Sequence, residues 1–251
     1  MRNTLKHKLL AGQPAYGVSV MIPSPQVVEM LGRLGFDWVL IDCEHGSIGL
    51  ESVEAMVMAA EAAGVTPIVR PASAAPEVIA QVMDRGALGV QAPHVNSAED
   101  ARRVVQAIKF HPLGQRSLAV GTRAGGYGYG LSRADYVAEA NHETLVCVQW
   151  EDAKALRHTD EMLAVEGVDV YFIGPSDLSQ SLGYPGHPEA PQVRQAIAAA
   201  LASIRAAGRI AGSAGGAAAL REYRAQGALY LYTHLTTLLA EGAARFREAM
   251  A

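Results

Sequence analysis

Two acidic side chains follow two separate apolar segments of the 251-residue chain. Glu151 comes directly after the segment 144–150, and Asp177 follows the segment 168–173. If these segments are neighbouring parallel strands, the two carboxylates lie close together and repel each other unless a cation lies between them. Mg²⁺ and Mn²⁺ are typically held by one or two carboxylates. The pair therefore predicts a divalent metal site. The alternative is structural, with Glu151 favouring the start of a helix and Asp177 capping a turn.

A candidate acid/base group follows another apolar segment, 37–42. This segment ends in Asp42, and Glu44 and His45 come just after it. Histidine titrates near neutral pH, and a neighbouring carboxylate fixes its tautomer and raises its basicity. We expect His45 to act as the acid/base, although a loop histidine that caps the turn fits the same pattern.

Arg70 ends the otherwise apolar segment 66–70. A guanidinium in this position is unfavourable unless it meets an anion. One possibility is an internal ion pair with Asp42 or Glu44. The other is a fork that binds a substrate carboxylate or a developing enolate oxygen.

The lysines argue against one class of carbon–carbon bond chemistry. Aldol chemistry through an imine needs a desolvated lysine in the active site. The chain has four lysines, and none of them ends an apolar segment: Lys6, Lys8, Lys109 and Lys154. We therefore expect an enolate to be stabilised by a metal or by Arg70 rather than as an imine.

Short apolar segments alternate with longer amphipathic stretches along the whole chain. The predicted strands are 16–20, 37–42, 66–70, 87–92, 144–150, 168–173, 209–213 and 228–232. The predicted helices are 25–34, 50–63, 76–85, 97–109, 152–165, 191–207, 217–226 and 236–250. Eight such units in one domain over 1–251 predict an α/β fold, a (β/α)8 TIM barrel, with a doubly wound sheet as the competitor.

In such a barrel the active site lies at the carboxyl ends of the strands. Ser213, at the end of the seventh predicted strand, is a candidate substrate-binding residue. His94 and His234 follow strands 87–92 and 228–232, and we expect them to line the rim without acting. The glycine-rich stretch 110–141, with a short helix at 133–140, is interpreted either as a lid over this face or as a connecting loop.

Composition excludes several other classes of protein. The 21 Lys and Arg against 25 Asp and Glu give a formal charge of −4, without the basic surface that nucleic acids require. No run approaches the ~18 apolar residues of a membrane span, and residues 1–10 do not resemble a secretion signal. With two cysteines only, Cys43 and Cys147, we expect a cytoplasmic, reduced protein.

The chain resembles the HpcH/HpaI aldolases, metal-dependent class II pyruvate aldolases related to the citrate lyase β subunit. The resemblance extends over nearly all of the sequence. It rests on Gly35-Phe36-Asp37-Trp38, Asp42-Cys43-Glu44-His45-Gly46, Pro67-Ile68-Val69-Arg70, Gly114-Gln115-Arg116, Gln149 with Glu151, Val165-Glu166-Gly167-Val168-Asp169, Phe172-Ile173-Gly174-Pro175-Ser176-Asp177-Leu178-Ser179 and Gly183-Tyr184-Pro185-Gly186-His187-Pro188.

The resemblance implies a barrel of the phosphoenolpyruvate/pyruvate-binding type and an aldehyde-lyase. The reaction would be reversible retro-aldol cleavage of a 4-hydroxy-2-oxo acid to an aldehyde and pyruvate, or a related 2-oxo acid such as hydroxypyruvate. Alternatives are acyl-CoA ester lyase, citrate-synthase-like or oxaloacetate decarboxylase activity on the same enolate, or a non-catalytic barrel that binds a 2-oxo acid. The segments 213–216 and 232–235 differ from the best-known aldolases, so the resemblance leaves the aldehyde open.

The resemblance also implies a role for each site residue. Glu151 and Asp177 hold Mg²⁺, Mn²⁺ or Co²⁺, which the 2-oxo acid chelates. Arg70 stabilises the enolate oxygen, and His45, paired with Asp42, is the acid/base. Glu44 and Gln149 support the site, and the amides of Ser176 and Asp177 receive the substrate carboxylate. Family members form hexamers, trimers of dimers, in which the last helices are exchanged between subunits.

Overall fold

The structure, a computed structural model, describes residues 2–251 and contains a closed barrel of eight parallel strands in chain order. The strands are β1 (Ala15–Val20), β2 (Trp38–Asp42), β3 (Thr66–Arg70), β4 (Gly89–Ala92), β5 (Leu145–Trp150), β6 (Val170–Ile173), β7 (Ile210–Ala214) and β8 (Tyr230–His234). The barrel closes where β8 pairs with β1. This architecture confirms the predicted (β/α)8 TIM barrel and excludes the doubly wound sheet.

One helix precedes the first strand, and the others follow the strands around the outside of the barrel. They are α1 (Thr4–Leu10), α2 (Pro25–Arg33), α3 (Leu50–Ala63), α4 (Pro76–Asp84), α5 (Ala98–Ile108), α6 (Arg133–Glu143), α7 (Ala153–Arg157), α8 (Thr159–Leu163), α9 (Pro175–Ser181), α10 (Pro191–Ala206), α11 (Ala217–Ala225) and α12 (Leu235–Met250). None of these helices, within residues 2–251, has the length and hydropathy of a membrane span.

Alternation along the strands separates two apolar layers, because successive side chains point to opposite faces of a sheet. On β6, Val170 and Phe172 belong to a cluster inside the barrel, whereas Tyr171 and Ile173 pack in the larger cluster between strands and helices. The interior cluster also contains Trp38, which stacks on Tyr230 with ring centroids 4.0 Å apart. A packed interior gives the strand ends fixed positions.

Helix α1, which the sequence analysis did not predict, closes the amino-terminal end of the barrel. Leu5 and Leu9 are buried with the interior cluster, and Thr4 contacts Thr66 at the start of β3 with their Oγ1 atoms 3.0 Å apart. The helix is capped by Asn3, whose side chain accepts from the amide of Lys6. Seven residues are too few for hydrophobic periodicity to identify a helix reliably.

The strand predictions are confirmed, with boundary differences that matter at β7 and β8. The predicted strand 209–213 is β7 (Ile210–Ala214), and the predicted strand 228–232 is β8 (Tyr230–His234). The predicted helix 152–165 is instead two short helices, α7 and α8, separated by His158. Helix α9 was not predicted, and its Pro at the first turn marks its start.

The stretch 110–141 does not form a lid over the catalytic end of this chain. It leaves the carboxyl end of α5 and leads through α6 to the start of β5. Arg116 binds Asp84 at the end of α4 with an N–O distance of 2.7 Å, and Arg123 binds Glu61 near the end of α3. Because barrel helices run antiparallel to the strands, these helix ends lie at the amino-terminal end of the barrel. The lid interpretation is therefore wrong for this chain.

Candidate active site

A cavity of 540 Å³ lies at the carboxyl ends of the strands. Five predicted site residues line it together: His45, Arg70, Gln149, Ser176 and Asp177. They come from four different places along the chain and meet because β2, β3, β5 and β6 run parallel in one closed barrel. The barrel therefore brings together the polar residues that follow the strands, as the sequence analysis expected.

Arg70 is held by two acidic residues below this cavity. Its Nε donates to Oδ1 of Asp42 at 2.9 Å, its Nη2 bonds Oδ2 of Asp42, and Oε2 of Glu44 lies 3.3 Å from Nε. Burial alone would lower the pKa of Arg70, but the hydrogen bonds with Asp42 and the charges of Tyr232, Asp42 and Glu44 together outweigh burial, and the pKa is raised. Arg70 therefore forms the internal ion pair and also lines the cavity. Its Nη1 has no protein partner among residues 2–251.

The ring of His45 is not paired with Asp42 as expected. Asp42 is fully buried and its Oδ1 accepts from the amides of Glu44 and His45 at 3.1 and 3.3 Å, in addition to Arg70. The carboxylate nearest to the half-exposed imidazole is Glu44, with Nε2 and Oε2 3.8 Å apart. Asp42 therefore orients Arg70 and the main chain of the loop, while Glu44 faces the imidazole.

Glu151 is a buried carboxylate with three hydrogen-bonding groups around it. Gln149 donates from Nε2 to Oε2, the amide of His94 donates to Oε1 at 2.7 Å, and Nδ1 of His94 lies 2.9 Å from the same Oε1. Burial raises the pKa of Glu151, and the charge of Asp177 raises it further, whereas these hydrogen bonds oppose the shift. Such a group is stabilised as an anion by a nearby cation.

The two predicted metal ligands fit a hard divalent cation. The negative charge of Asp177 contributes to the raised pKa of Glu151, so the two carboxylates lie within electrostatic range of each other. No hydrogen bond or ion pair joins the Asp177 carboxylate to another side chain within residues 2–251, which leaves its oxygens for a ligand. At Gly174, which lies between them, a Cβ would come within 3.0 Å of Cβ of Glu151. The backbone therefore passes closely enough for oxygen ligands to converge.

A chain of buried polar side chains supports Gln149 from inside the barrel. Tyr230 donates to Oε1 of Gln91 at 3.1 Å, and Gln91 donates from Nε2 to Oε1 of Gln149 at 2.6 Å. Gln149 in turn donates to Glu151. The sequence analysis missed Gln91, although a lone glutamine in the apolar segment 87–92 was the available signal.

His94 was expected to line the rim without acting, but it joins two acidic residues of the site. Its Nε2 lies 2.9 Å from Oε1 of Glu44, and its Nδ1 faces Glu151. The backbone of His94 has a φ of 55°, which is uncommon for a residue other than glycine. Such conformations cluster at functional sites.

Ser213 does not face the cavity. Its hydroxyl is fully buried and donates to the carbonyl of Ile173 at 3.1 Å. Successive side chains of a strand point to opposite faces, so Ser213 faces outward, whereas Ala214, the last residue of β7, points inward and lines the cavity. The structure therefore does not bring Ser213, the expected substrate-binding residue, to the cavity, and the small side chains beyond it form this wall.

The wall beside β7 and β8 is formed by small and aromatic residues. Its members are Ala214, Gly215, Gly216, Ala218, Tyr232 and His234. His234 lies at the end of β8, and burial lowers its pKa, so that the neutral imidazole is favoured. Its buried Nδ1 has no hydrogen-bond partner within residues 2–251. A ligand that extends from Arg70 toward α11 would meet this wall.

Comparisons with known proteins were consistent with this site. Residues 16–234 match the model of the family described as HpcH/HpaI aldolase/citrate lyase. The chain is 37% identical to the 4-hydroxy-2-oxo-heptane-1,7-dioate aldolase of Salmonella dublin, covering 97% of this chain and 92% of that protein. It is 40% identical to the hydroxypyruvate/pyruvate aldolase of Deinococcus radiodurans, covering 98% and 88%.

Solved structures give the same answer for the fold. A crystal structure of an HpcH/HpaI aldolase/citrate lyase family protein from Burkholderia cenocepacia J2315 matches with a TM-score of 0.92 at 32% identity. The match covers 99% of this chain and 100% of that chain. The similarity therefore extends over the whole barrel.

Proposed function

The chain belongs to the HpcH/HpaI aldolase/citrate lyase family, and we propose that it cleaves a 4-hydroxy-2-oxo acid reversibly to an aldehyde and pyruvate, or a related 2-oxo acid such as hydroxypyruvate. The observation that carries this proposal is the arrangement of the cavity. Asp177 lines the cavity together with Arg70 and His45. Gln149, which also lines it, donates a hydrogen bond to the buried carboxylate of Glu151.

We assign Glu151 and Asp177 as the ligands of a divalent cation, Mg²⁺, Mn²⁺ or Co²⁺. When bound, this cation supplies Lewis acidity toward the carboxylate and keto oxygens of the 2-oxo acid. Gln149 and His94 hold Glu151 in one orientation through the hydrogen bonds described above. The main-chain amides of Ser176 and Asp177, in the first turn of α9, have no intrahelical acceptors and are suited to the substrate carboxylate.

The remaining residues handle the proton and the developing charge. In the cleavage direction, His45 accepts the proton of the C4 hydroxyl, directly or through a water, and the C3–C4 bond breaks to release the aldehyde. The electron pair of that bond forms an enolate whose oxygen accepts a hydrogen bond from Arg70. Proton return to C3 then gives the 2-oxo acid, so that atoms and charges balance.

The test is metal-dependent turnover with a matched pair of variants. Chelator-treated protein should not release pyruvate from a 4-hydroxy-2-oxo acid, and Mg²⁺, Mn²⁺ or Co²⁺ should restore turnover. Glu151→Gln should remain inactive after metal is added, whereas Glu161→Gln, on the outer helix α8, should behave as the unmodified protein. Full activity of the chelated protein would overturn the proposal.

A second measurement separates an enzyme from a protein that only binds a 2-oxo acid. Pyruvate methyl protons should exchange with solvent deuterium in the presence of metal, and Arg70→Ala should abolish this exchange. Tight pyruvate binding without exchange would favour a non-catalytic barrel. Inactivation by borohydride in the presence of pyruvate would instead indicate an imine on Lys154.

We further propose that the chain is a cytoplasmic homo-oligomer, a hexamer built as a trimer of dimers. Support comes from α12, which exposes Leu239, Phe246 and Met250 and buries no residue within the described chain. Exposed apolar side chains along one helix are typical of a subunit contact. Light scattering should give a mass six times the 26.5 kDa of one chain. A monomer at micromolar concentration would contradict this.

A further inference from the structure

A second group of metal-ligating side chains lies at the opposite end of the barrel from the candidate active site. His7 is on α1, and His142 and Glu143 end α6 just before β5 begins. His7 is 136 positions from Glu143 in the chain and meets it because α1 closes the amino-terminal end of the barrel. No step of the proposed reaction uses them.

The three side chains already point at one another. Nε2 of His7 lies 3.0 Å from Oε1 of Glu143, and Nδ1 of His142 lies 2.8 Å from the same oxygen. One ligand atom from each residue fits within a span of 4.8 Å. Ligand atoms that bind one ion at about 2.0–2.1 Å are separated from one another by distances similar to those between these three side chains. A small shift of the side chains therefore suffices to admit a metal.

The carboxylate is fixed from behind by the backbone. Oε2 of Glu143 accepts from the amide of Asn3 at 2.6 Å, and Nδ2 of Asn3 donates to the main-chain carbonyl of Glu143 at 2.9 Å. This arrangement leaves Oε1 facing the two imidazoles. Outer groups that orient a ligand in this way are typical of metal sites.

The two imidazoles are exposed to solvent, whereas the carboxylate is buried. The side chain of His142 is 74% exposed and that of His7 is 43% exposed, whereas Glu143 is 9% exposed. A metal can therefore reach the imidazoles directly from solution, while the carboxylate is anchored in the protein. The two rings are not stacked, since their centroids are 6.0 Å apart and their planes are tilted by 50°.

We propose that His7, His142 and Glu143 bind a divalent transition metal such as Zn²⁺. Two imidazoles and one carboxylate, with further positions left for water, are a ligand set suited to zinc and unsuited to Mg²⁺, which prefers oxygen ligands. Glu151 and Asp177 present oxygens alone. The two ends of the barrel would thus bind different classes of metal ion.

Zinc at this position would tie α1 to α6. Leu5 and Leu9 of α1 pack on the interior of the barrel, so a cross-link between the helices holds that end closed. A metal that binds the folded state only should raise the midpoint of thermal unfolding by about 5–10 °C at a concentration 100-fold above its dissociation constant.

The experiment is a calorimetric titration of metal-free full-length protein with ZnCl₂ in excess Mg²⁺, so that the active-site carboxylates are occupied. We expect one zinc site in addition to the active-site position that Mg²⁺ occupies. His142→Ala and His7→Ala should each lower its affinity for zinc at least 100-fold. His158→Ala is the matched control. His158 also pairs with a glutamate, Glu161, at 3.7 Å, but within residues 2–251 this pair has no second histidine beside it. Glu151→Gln should retain the site, which separates it from the proposed active site.

X-ray absorption of the zinc-loaded Glu151→Gln protein should show two imidazole nitrogens in the coordination sphere. Retro-aldol activity of His142→Ala with its active-site metal should be unchanged, so that this proposal and the proposed function fail separately. Equal zinc affinity in the unmodified protein, His142→Ala and His7→Ala, or equal unfolding midpoints with and without zinc, would overturn the proposal and leave a hydrogen-bonded cluster.

Discussion

His94 holds Glu151 twice, through its main-chain amide, 2.7 Å from Oε1, and through Nδ1 of its ring, 2.9 Å from the same oxygen. The ring also reaches Glu44, so that one imidazole links the proposed metal ligand Glu151 with the carboxylate beside Arg70 and His45. His94, which has no assigned chemical step, therefore contacts both Glu151 and the carboxylate that lies beside Arg70 and His45.

Removal of this ring should weaken metal binding. His94→Ala keeps the hydrogen bond from the main-chain amide to Glu151 but loses the contacts of the imidazole. The loss of such outer contacts typically reduces metal affinity by about 10–100-fold. Mn²⁺ affinity measured by calorimetry checks this. His94→Asn, which tolerates the positive φ better than alanine, should show the same loss. Unchanged affinity in both variants would mean that the ring contributes nothing to the site.

The Arg70–Asp42 pair should contribute to both stability and turnover. Asp42 is fully buried and Arg70 is 4% exposed. Asp42→Asn leaves the guanidinium without its anion, and breaking a buried pair typically lowers the free energy of unfolding by about 3–5 kcal/mol. Urea unfolding measures this loss. Glu99→Gln, which removes an exposed pair with Arg102, should change stability by less than about 1 kcal/mol.

In Asp42→Asn we also expect a lower kcat, because Arg70 would no longer be oriented. Arg70→Lys keeps the charge without the planar fork and should likewise lower kcat. Turnover at the unmodified rate in Arg70→Lys would show that only the charge matters.

The small residues at the start of α11 should set the size of the aldehyde. Ala218 is exposed and lines the cavity, so Ala218→Leu should narrow it without a clash inside the protein. We expect kcat/KM for long aldehydes to fall about tenfold or more relative to formaldehyde. Ala217→Leu is the matched control, because Ala217 is also exposed but does not line the cavity. Equal effects in the two variants would contradict this assignment.

Lys109 should make stability depend on pH. Burial, and after it the charge of Lys6, lower the pKa of Lys109 to about 7, while Asp169 acts in the opposite direction. Between pH 7 and the ordinary value near 10.5, the unfolded chain then holds a proton that the folded chain lacks. The free energy of unfolding should therefore rise with pH in this window, by at most about 1.4 kcal/mol per unit.

The corresponding measurement is urea unfolding from pH 7 to pH 9.5. Lys109→Met should remove this dependence, although it also removes the hydrogen bonds of Lys109 to the carbonyls of Asn141 and Thr144, of which Thr144 keeps Lys6 as a donor, and lowers stability overall. Lys154→Met, on the surface helix α7, should keep the pH slope. A slope that persists in Lys109→Met would assign it to other groups.

The sequence alone determined the fold and most residues of the candidate site. Apolar segments of strand length, each separated by an amphipathic stretch, specify parallel strands covered by helices, because both signals are local. Once the barrel is inferred, the residues at the carboxyl ends of its strands must meet, and His45, Arg70, Gln149 and Asp177 do. The family resemblance then supplied the roles that residue types alone left open.

Only the tertiary structure decided which of these residues contact one another. Asp42 binds Arg70 rather than the ring of His45, and Ser213 turns away from the cavity because the register of β7 places Ala214 on the inner face. A shift of one residue reverses the face of a side chain, which no local pattern resolves.

Contacts between distant parts of the chain were equally beyond the sequence. Gln91 reaches Gln149, and His7 reaches Glu143, because barrel closure and the docking of α1 bring these residues together. Such pairings follow from the packing of the whole molecule. The sequence determined which side chains are available at each end of the barrel, and the closed barrel determined their partners.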